Sequence, residues 1–297
     1  MIVPALGAHG PAGPWGPPVV VGSWNSGRAV PLGALAHDAP PVPLVPLLLD
    51  AAARAAAPAN GREPVVLWPF LDTAAAHRLA AADPERSLLL RCPSTAWLNT
   101  EVDDFEGYLD RLGSHRRNVV RKELRRFEES GARAVVRPLR EVSGRLTDLL
   151  VQNKRRHGGR SDPDAIAALL DAQVEVFGDR ALALCAVRAG TLHAVATAIE
   201  HQGALYGRAF GRSTDQQPIP NEYFVLGYYL AVRHCAEQGL REYHAGAQAY
   251  QVKALRGCEI EPLWTLLRTP GPLPPAFRAT ADRWNTPLEP PTTPPAR

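Results

Sequence analysis

Hydrophobic and polar positions change period several times in the second half of the chain, and each change predicts an element. Helix-period patterns predict helices over 142–157, 162–177 and 221–238 and a short helix over 250–257. Runs of period two predict the strands, with hairpin turns at 189–191 and 201–203, and these runs cover 132–139, 182–211, 241–247 and 260–268. The predicted order is therefore β-α-α-β-β-β-α-β-α-β.

The first hundred or so residues also alternate strand and helix, but their elements are shorter. Apolar runs predict strands at 19–24, 64–71 and 87–98, the last as a strand pair or as a strand and a turn. Helices are predicted within 43–57, over 73–83 after Asp72 or Thr73, and over 103–112 after Asp103 or Asp104. Residues 1–18 and 286–297 are rich in Gly or Pro, and we expect them to be disordered.

One predicted helix, "SHRRNVVRKELRRFEESG", is strongly basic and ends at Gly131. Its positive side chains are Arg116, Arg117, Arg121, Lys122, Arg125 and Arg126, with Glu123 the acid among them. Arg117, Arg121 and Arg125 follow one another at i, i+4 and i+8 and so form a stripe. The stripe is either a solvated face with intrahelical pairs such as Glu123 with Arg126, or a surface that contacts nucleic-acid phosphates.

Helix 221–238 begins after the segment "RSTDQQPIPNEYF" and has Asn221 as its predicted N-cap and Gly239 just beyond its end. A loop that binds the pyrophosphate of an acyl-CoA presents glycines and backbone N–H groups at a helix start. This segment has two prolines and no glycine, and proline lacks the N–H donor. The segment therefore argues against ordinary acetyl-CoA use.

The order of elements resembles the GNAT acyltransferase fold, and the motifs are more similar to the Fem-type peptidyltransferases. The basic helix is similar to the "R-x-N-x-x-[RK]" helix of Fem-like proteins. The segment "IPNEYFVLGYYLAVRHCAEQGLREYHAGAQAYQVKALRGCEIEPLW" resembles the C-terminal part of a bacterial branch associated with peptidoglycan biosynthesis and antibiotic tailoring. That part has paired tyrosines, a Gly-Ala-Gln element, a lysine and Arg-Gly. The lysine usually lies closer to Gly-Ala-Gln than it does here, where "AYQV" intervenes.

The resemblance implies an α/β protein with two tandem GNAT-like units, 19–113 and a catalytic 114–285, of which the first is shorter or degenerate. It also implies an N-acyltransferase that moves an aminoacyl group from aminoacyl-tRNA to an acceptor amine. The acceptor would be a peptidoglycan precursor or an antibiotic-type small molecule. Such a reaction needs positioning and oxyanion stabilisation but neither a metal nor a cofactor.

The same resemblance assigns roles to individual residues. Lys253 would stabilise the tetrahedral intermediate or the leaving ribose oxygen. Phosphates would be bound by Arg116, Arg117, Arg121, Lys122, Arg125 and Arg256. Tyr228, Tyr229, Gln248, Tyr250, Arg208 and His244 would bind the substrate. Several of these have a structural alternative: core packing for one of the two tyrosines, an edge salt bridge for Arg208, and a satisfied strand residue for His244.

Composition adds one argument in favour of Lys253. The chain has only three lysines, Lys122, Lys154 and Lys253, among 33 lysines and arginines. Where a solvated charge is enough, arginine can replace lysine, so a lysine that remains either marks a place for a compact ammonium or was retained by chance. The net charge of +3 is compatible with an anionic partner.

The remaining features indicate a soluble protein without a membrane span. Cys92, Cys185, Cys235 and Cys258 show no CxxC spacing, and Cys185 and Cys235 fit a core. The start of the sequence lacks the pattern of a signal peptide, and we predict a cytoplasmic location. Two alternatives to the tRNA-dependent enzyme stay open: a GNAT enzyme that uses acyl-CoA, and a non-catalytic tRNA-binding module.

Overall fold

The computed structural model describes residues 16–20, 50, 51, 53, 54 and 64–286. Strands β1 to β9 are Gly16–Val20, Pro64–Asp72, Ser87–Asn99, Ala132–Pro138, Ala181–Arg188, Thr191–His201, Ala204–Arg212, Glu242–Gly246 and Glu259–Arg268. Helices α1 to α5 are Thr73–Ala81, Phe105–Arg111, Ser114–Glu129, Ser143–Arg156 and Pro163–Phe177. Helix α6 consists of Glu222–Phe224, a π-helical stretch Val225–Leu230, and Ala231–Gln238. Helix α7 is Tyr250–Ala254 and helix α8 is Pro275–Asn285.

The chain divides into two compact units whose bounds differ from the predicted ones. The split unit comprises Met1–Ser94 and Glu261–Arg297, and the central unit comprises Thr95–Ile260. The predicted units 19–113 and 114–285 do not follow this division. Helix α2 belongs to the central unit, whereas most of β9 and all of α8 return to the split unit. That the two halves are tandem GNAT-like units stays a prediction.

The split unit has the strand order β1-β2-β9-β3, with β1 and β2 parallel and β2 and β9 antiparallel. Asp72 caps α1, since its carboxylate accepts a hydrogen bond from the Ala75 N–H at 2.7 Å. Residues 87–99 form one long strand, so the alternative of a strand pair or a strand and turn was wrong. Helix α8 was not predicted, and residues 16–18, expected to be disordered, belong to β1. Residues 1–15 and 287–297 lie outside the described residues.

The central unit has the strand order β3-β8-β7-β6-β5-β4. Only β7 and β8 pair in parallel among these described strands, and α6 makes the crossover that a parallel pair requires. All other neighbours are antiparallel. The predicted order of elements from 132 to 268 is therefore confirmed, and so is the mixed α/β class.

Helices cover both faces of the central sheet. On one face, α2, α3 and α6 contribute core residues that include Tyr108, Phe127 and Leu226. On the other face, α4 and α5 contribute Leu146, Leu149 and Leu170. Because both faces are covered, the first six residues of β5 are all buried, and the strand is a continuous apolar run without alternation.

Glycine sets how closely α4 can approach β7. A Cβ added at Gly211 would lie 2.8 Å from backbone atoms of Leu149 and Leu150. Any larger residue at position 211 would push the helix away from the strand. This contact fixes the end of β7, which borders the site described next.

Two helix ends in this unit behave as predicted and one start does not. Gly131 and Gly239 follow α3 and α6 with φ of 78° and 65°, the left-handed conformation that glycine allows. Asn221 precedes α6, but its side chain makes no capping bond. Instead the Asn221 amide donates to the Glu123 carbonyl, 3.2 Å away, and thereby ties α6 to α3.

Candidate active site

The parallel strands β7 and β8 separate partway along their length. They pair at Ala204 with Glu242, Leu205 with Tyr243, and Tyr206 with His244, and the pairing ends there in the described chain. A Cβ added at Gly207 would lie 3.0 Å from the Tyr243 hydroxyl and 3.2 Å from the His244 carbonyl, so any larger residue would press on both groups where the strands part. A glycine inside a strand is a signal of close approach that sequence reasoning could have used.

The gap between the strands holds a cavity of about 290 Å³. Its walls come from β6, β7, β8, α6, the segment after β8, and Lys253. Seven of the fifteen wall residues are glycine or alanine, namely Ala196, Gly207, Ala209, Gly227, Ala245, Gly246 and Ala247. Three tyrosines complete it, namely Tyr223, Tyr228 and Tyr243. The cavity has the concave form and the few convergent polar groups of a small-molecule site.

A β-bulge shapes the β7 side of the cavity. Opposite Thr197 and Ala198, the register of β7 shifts between Ala209 and Gly207, so Arg208 is the extra residue. The Thr197 hydroxyl accepts the Ala209 N–H at 3.1 Å and replaces the lost ladder bond. Arg208 lies at the cavity, and the surrounding protein partly desolvates its guanidinium and lowers its pKa. Its contact with substrate stays a prediction. Bulges re-aim side chains in this way beside active sites.

The π-helical stretch of α6 places Gly227 and Tyr228 at the cavity. The Tyr243 hydroxyl donates to the Gly227 carbonyl at 2.5 Å. The Tyr228 hydroxyl is buried and has no hydrogen-bond partner in the described part of the chain. Burial, with a smaller effect from Tyr223, raises the pKa of Tyr228, so its hydroxyl stays protonated. π-Helical turns of this kind are frequent at functional sites, but no local pattern in the sequence marked this one.

Tyr229, predicted to line the pocket beside Tyr228, points instead into a buried ion pair. Its hydroxyl donates to the Glu123 carboxylate and accepts from Nε of Arg256 at 3.1 Å. Nη2 of Arg256 reaches both Glu123 oxygens, at 3.1 and 2.9 Å. The guanidinium also lies 3.7 Å from the centre of the Phe224 ring. The prediction for Tyr229 is corrected accordingly, because this arrangement is internal to the core.

The same arrangement corrects the phosphate role predicted for Arg256. This arginine is only 3% exposed, and its charge is already paired with Glu123. Its Nη1 donates to the Val252 carbonyl at 3.2 Å. Glu123 was expected to pair with Arg126 within the helix, but its partner is 133 positions away. Arg256 therefore ties α7 to α3.

Lys253 lies at the cavity but is held by backbone. Its ammonium donates to the carbonyls of Ala245, Gly246 and Ala247 at 2.7, 2.8 and 2.8 Å. Burial lowers the pKa of Lys253 to about 8, and the field of Cys258 acts in the opposite direction. An ammonium has three N–H bonds, and all three are used here. Direct contact with a substrate oxygen would require one of these carbonyls to give way.

Gln248 and Tyr250 follow, in the sequence, the three carbonyl groups that bind the Lys253 ammonium. Gln248 lies at the cavity, is exposed, and has a left-handed backbone with φ of 68°. Tyr250 is the first residue of α7 and is half-buried, and it is not part of the described cavity wall. The structure therefore places Gln248 and Lys253 at the cavity, and Tyr250 is not among the described residues that line it.

His244 lies before the strands part, and the prediction that it contacts substrate is corrected. It is 6% exposed, and its ring stacks on that of Tyr206 with centroids 4.6 Å apart. Its Nε2 lies 3.1 Å from the Glu242 carboxylate. The imidazole is not part of the cavity wall in the described residues, so it serves the paired part of the sheet.

The predicted phosphate-binding residues of α3 divide into two sets. Arg117 donates to the Leu109 carbonyl at 3.1 Å and pairs with Asp110, which satisfies the end of α2. Arg121 pairs with Glu106 at 2.7 Å. Arg116 is half-buried near Tyr108. Three further cations are exposed and make no ion pair with any described residue: Lys122, Arg125 and Arg126.

An acidic residue occupies the start of α6, where the sequence argued against a phosphate. Glu222 is 5% exposed, and its carboxylate lies 3.2 Å from Nη1 of Arg212. Its backbone N–H donates to the Ile219 carbonyl at 3.5 Å, and burial raises the pKa of its carboxyl. The chain thus supplies its own anion at this helix start, next to Pro218 and Pro220. Sequence analysis missed Glu222.

The chain belongs to the FemAB-like family, described as peptidoglycan biosynthesis/recognition, which it matches over residues 47–274. No curated protein matches it significantly. Within the described residues, no helix is both long and apolar enough to cross a membrane.

Solved structures show the same fold at low sequence identity. FemX is 12% identical with a TM-score of 0.56, over 75% of this chain and 77% of that one. L-PGS from Bacillus licheniformis is 13% identical with a TM-score of 0.55, over 81% and 77%. The C-terminal domain of a candidate lysylphosphatidylglycerol synthetase from Agrobacterium fabrum is 14% identical with a TM-score of 0.55, over 82% and 76%. The predicted resemblance to Fem-like proteins and the mixed α/β fold are confirmed, and membership of the family supports an acyltransferase in peptidoglycan-related biosynthesis.

Proposed function

We propose that the protein transfers an aminoacyl group from aminoacyl-tRNA to an acceptor amine in the cavity between β7 and β8. The observation that carries the proposal is that the Glu222 side chain already occupies the start of α6, the helix that lines part of this cavity. The buried Glu222 side chain, already paired with Arg212, occupies the start of α6, and Pro218 and Pro220 before it lack the N–H donors that an acyl-CoA pyrophosphate would need there. A donor whose phosphates bind elsewhere fits this site better.

The exposed cations of α3 offer a place for those phosphates. Lys122, Arg125 and Arg126 extend from one helix and are not neutralised by described carboxylates. Such a face attracts a polyanion without reading its sequence, and its binding weakens steeply with salt. This supports tRNA as the donor and leaves the choice of amino acid to the cavity.

The reaction balances without a further reagent. The acceptor nitrogen attacks the ester carbonyl carbon of the aminoacyl-tRNA and forms a C–N bond, and the carbonyl oxygen becomes an oxyanion. When the intermediate collapses, the C–O bond to the ribose breaks. The ribose oxygen takes up one proton, and the nitrogen releases one. The products are an amide and free tRNA, so the protein needs to position both substrates and stabilise the oxyanion.

The test is transfer from a mixture of tRNAs charged with labelled amino acids. Acceptors are a peptidoglycan precursor with a free amine and, separately, a small-molecule fraction of a bacterial extract. We expect a labelled amide that RNase treatment of the donor abolishes. Labelled product from acetyl-CoA instead would establish the acyl-CoA alternative. Salt-sensitive tRNA binding without transfer to any acceptor would establish the non-catalytic module.

A further inference from the structure

We infer that the part of the substrate that enters the cavity between β7 and β8 carries a carboxylate group. This inference rests on the proposed function, because it names the substrate class of that same site. The observation behind it is a buried positive charge at the cavity for which the described part of the chain supplies no negative partner.

Lys253 differs in this respect from the other buried cations of the described chain. Three lysine or arginine side chains are at most 3% exposed, namely Lys253, Arg256 and Arg268. Arg256 pairs with Glu123 at 2.9 Å, and Arg268 pairs with Asp83 at 3.0 Å. The Lys253 ammonium meets three backbone carbonyls and makes no ion pair with a described carboxylate. Because buried charges are normally compensated, we expect its counter-ion to come from a ligand.

The other titratable groups around the cavity do not provide this negative charge. Cys258 is the group whose field acts on Lys253, but burial raises the pKa of its thiol to about 12, so the sulfur is neutral at pH 7. Burial also raises the pKa of Tyr228 and Tyr243 in the cavity wall, so both hydroxyls stay protonated. No aspartate or glutamate belongs to the wall in the described residues.

Arg208 adds a second positive charge on the exposed side of the same wall, where the bulge in β7 places it. Both cations repel a ligand that carries an ammonium, and a neutral ligand leaves the charge of Lys253 uncompensated. An anion in the cavity is attracted by both. Coulomb attraction acts across a cavity of this size without a direct hydrogen bond, so the carbonyls that bind the Lys253 ammonium need not move.

The Tyr228 hydroxyl favours a ligand that accepts hydrogen bonds. It is buried at the cavity and has no partner in the described part of the chain, so its O–H is available as a donor. An ionised carboxylate only accepts hydrogen bonds and can use this donor. A phosphate is the less suitable anion, because phosphates bind best where a helix start presents free N–H groups, and Glu222 occupies the start of α6.

The scarcity of lysine makes a direct binding test possible. With ¹³C-labelled lysine, the protein gives side-chain NMR signals from three lysines, Lys122, Lys154 and Lys253. Three probes share one frame and differ in charge: N-acetylglycine is an anion, N-acetylglycinamide is neutral, and N-acetylethylenediamine is a cation. Methyl phosphate is the alternative anion. Arg208→Gln removes the second positive charge, and Arg160→Gln is the matched control at an exposed arginine outside the described wall.

We expect N-acetylglycine to shift the Lys253 signals to saturation while those of Lys122 and Lys154 stay in place. The neutral and cationic probes should bind at least about tenfold more weakly. Arg208→Gln should weaken binding of N-acetylglycine by about tenfold, and Arg160→Gln should not change it. Equal binding of the anion and its amide, the absence of a saturable shift, or tighter binding of methyl phosphate would overturn the inference.

The carboxylate can come from the aminoacyl group or from the acceptor, and transfer kinetics distinguish these sources. The donor arm compares aspartyl-tRNA and glutamyl-tRNA with asparaginyl-tRNA and glutaminyl-tRNA. The acceptor arm compares amino acids with their amides. We expect kcat/KM to be at least about tenfold higher with the carboxylate in one arm, and Arg208→Gln to reduce that preference.

Transfer without a preference in either arm would contradict the inference and leave the proposed function standing. If the wild-type protein transfers nothing from any aminoacyl-tRNA, the proposed function fails, and the NMR titration still decides whether the cavity binds a carboxylate.

Discussion

Two buried cations lie three residues apart in the same part of the chain, and they are held in opposite ways. The charge of Arg256 is paired with the Glu123 carboxylate, and its guanidinium lies over the Phe224 ring. The charge of Lys253 meets only carbonyl dipoles. The charge of Arg256 is therefore neutralised by a counter-ion, whereas Lys253 keeps a net positive charge beside the cavity.

The difference teaches which of the two can matter for chemistry. A buried ion pair is costly to break because removal of either partner leaves the other as an unpaired buried charge. The pair therefore holds α7 against α3. A cation held by dipoles changes its protonation more easily, which agrees with a pKa of Lys253 of about 8. The arginine builds the scaffold, and the lysine shapes the wall of the site.

Among the variants that test this comparison, Glu123→Gln should have the largest effect on stability. It leaves Arg256 as a buried charge without a counter-ion, since Arg256 is 3% exposed. We expect the free energy of unfolding at pH 7 to fall by about 3–5 kcal/mol in urea denaturation. Glu129→Gln, on the exposed side of the same helix, should change it by less than about 0.5 kcal/mol. Similar values for both variants would mean that the pair contributes nothing specific.

The second prediction concerns the pH dependence of Lys253. Its pKa is about 8 in the folded protein and 10.5 as the ordinary value. Between these values the unfolded chain binds more protons, so the stability contributed by this group rises with pH and its burial cost is complete below pH 8. Relative to Lys253→Met, the wild-type protein should gain about 3 kcal/mol between pH 7 and pH 11. Urea unfolding of both proteins at several pH values measures this, and a flat difference would place the folded pKa near its usual value.

Much of the central fold followed from the sequence because its signals are local. Gly131 and Gly239 end helices because glycine adopts the left-handed backbone conformation, and the continuous apolar run of β5 by itself predicts a buried strand. The order of elements from β4 to β9 needed only such signals. The prediction of a helix cap failed at Asn221, whose side chain donates to the Glu123 carbonyl on another helix instead of capping its own helix.

The site was less accessible to sequence reasoning because its residues are defined by distant partners. Nothing near Arg256 indicates that Glu123 lies beside it. The helix period allowed one of the two tyrosines to pack in the core, but nothing in the sequence showed that Tyr229 is the one. Lys253 was found through its rarity, yet its three carbonyl partners become visible only in the fold. The unpaired stretch of β7 and β8 likewise depends on strand register, to which Gly207 was the one local clue.

The two neighbouring tyrosines provide the third test. Tyr229→Phe removes a hydroxyl that bridges Glu123 and Arg256, and we expect a loss of about 1–3 kcal/mol in the free energy of unfolding. Tyr228→Phe removes a buried hydroxyl without a partner in the described chain, so its loss should be within about 0.5 kcal/mol of zero or slightly stabilising. Chemical denaturation of both variants compares them directly. Equal losses would show that the Tyr228 hydroxyl also has a bound partner.

The smallest effect on stability is expected at the exposed cations of α3, which complete the comparison with the buried ones. Arg125 is exposed and pairs with no described carboxylate, so Arg125→Gln should change the free energy of unfolding by less than about 0.5 kcal/mol. Its effect should appear in tRNA binding, where the slope of log K against log salt concentration should decrease by about one. Arg180→Gln, at an exposed arginine after α5, is the matched control and should leave the slope unchanged. Binding titrations at several salt concentrations measure both, and equal slopes for the two variants would remove α3 from the nucleic-acid surface.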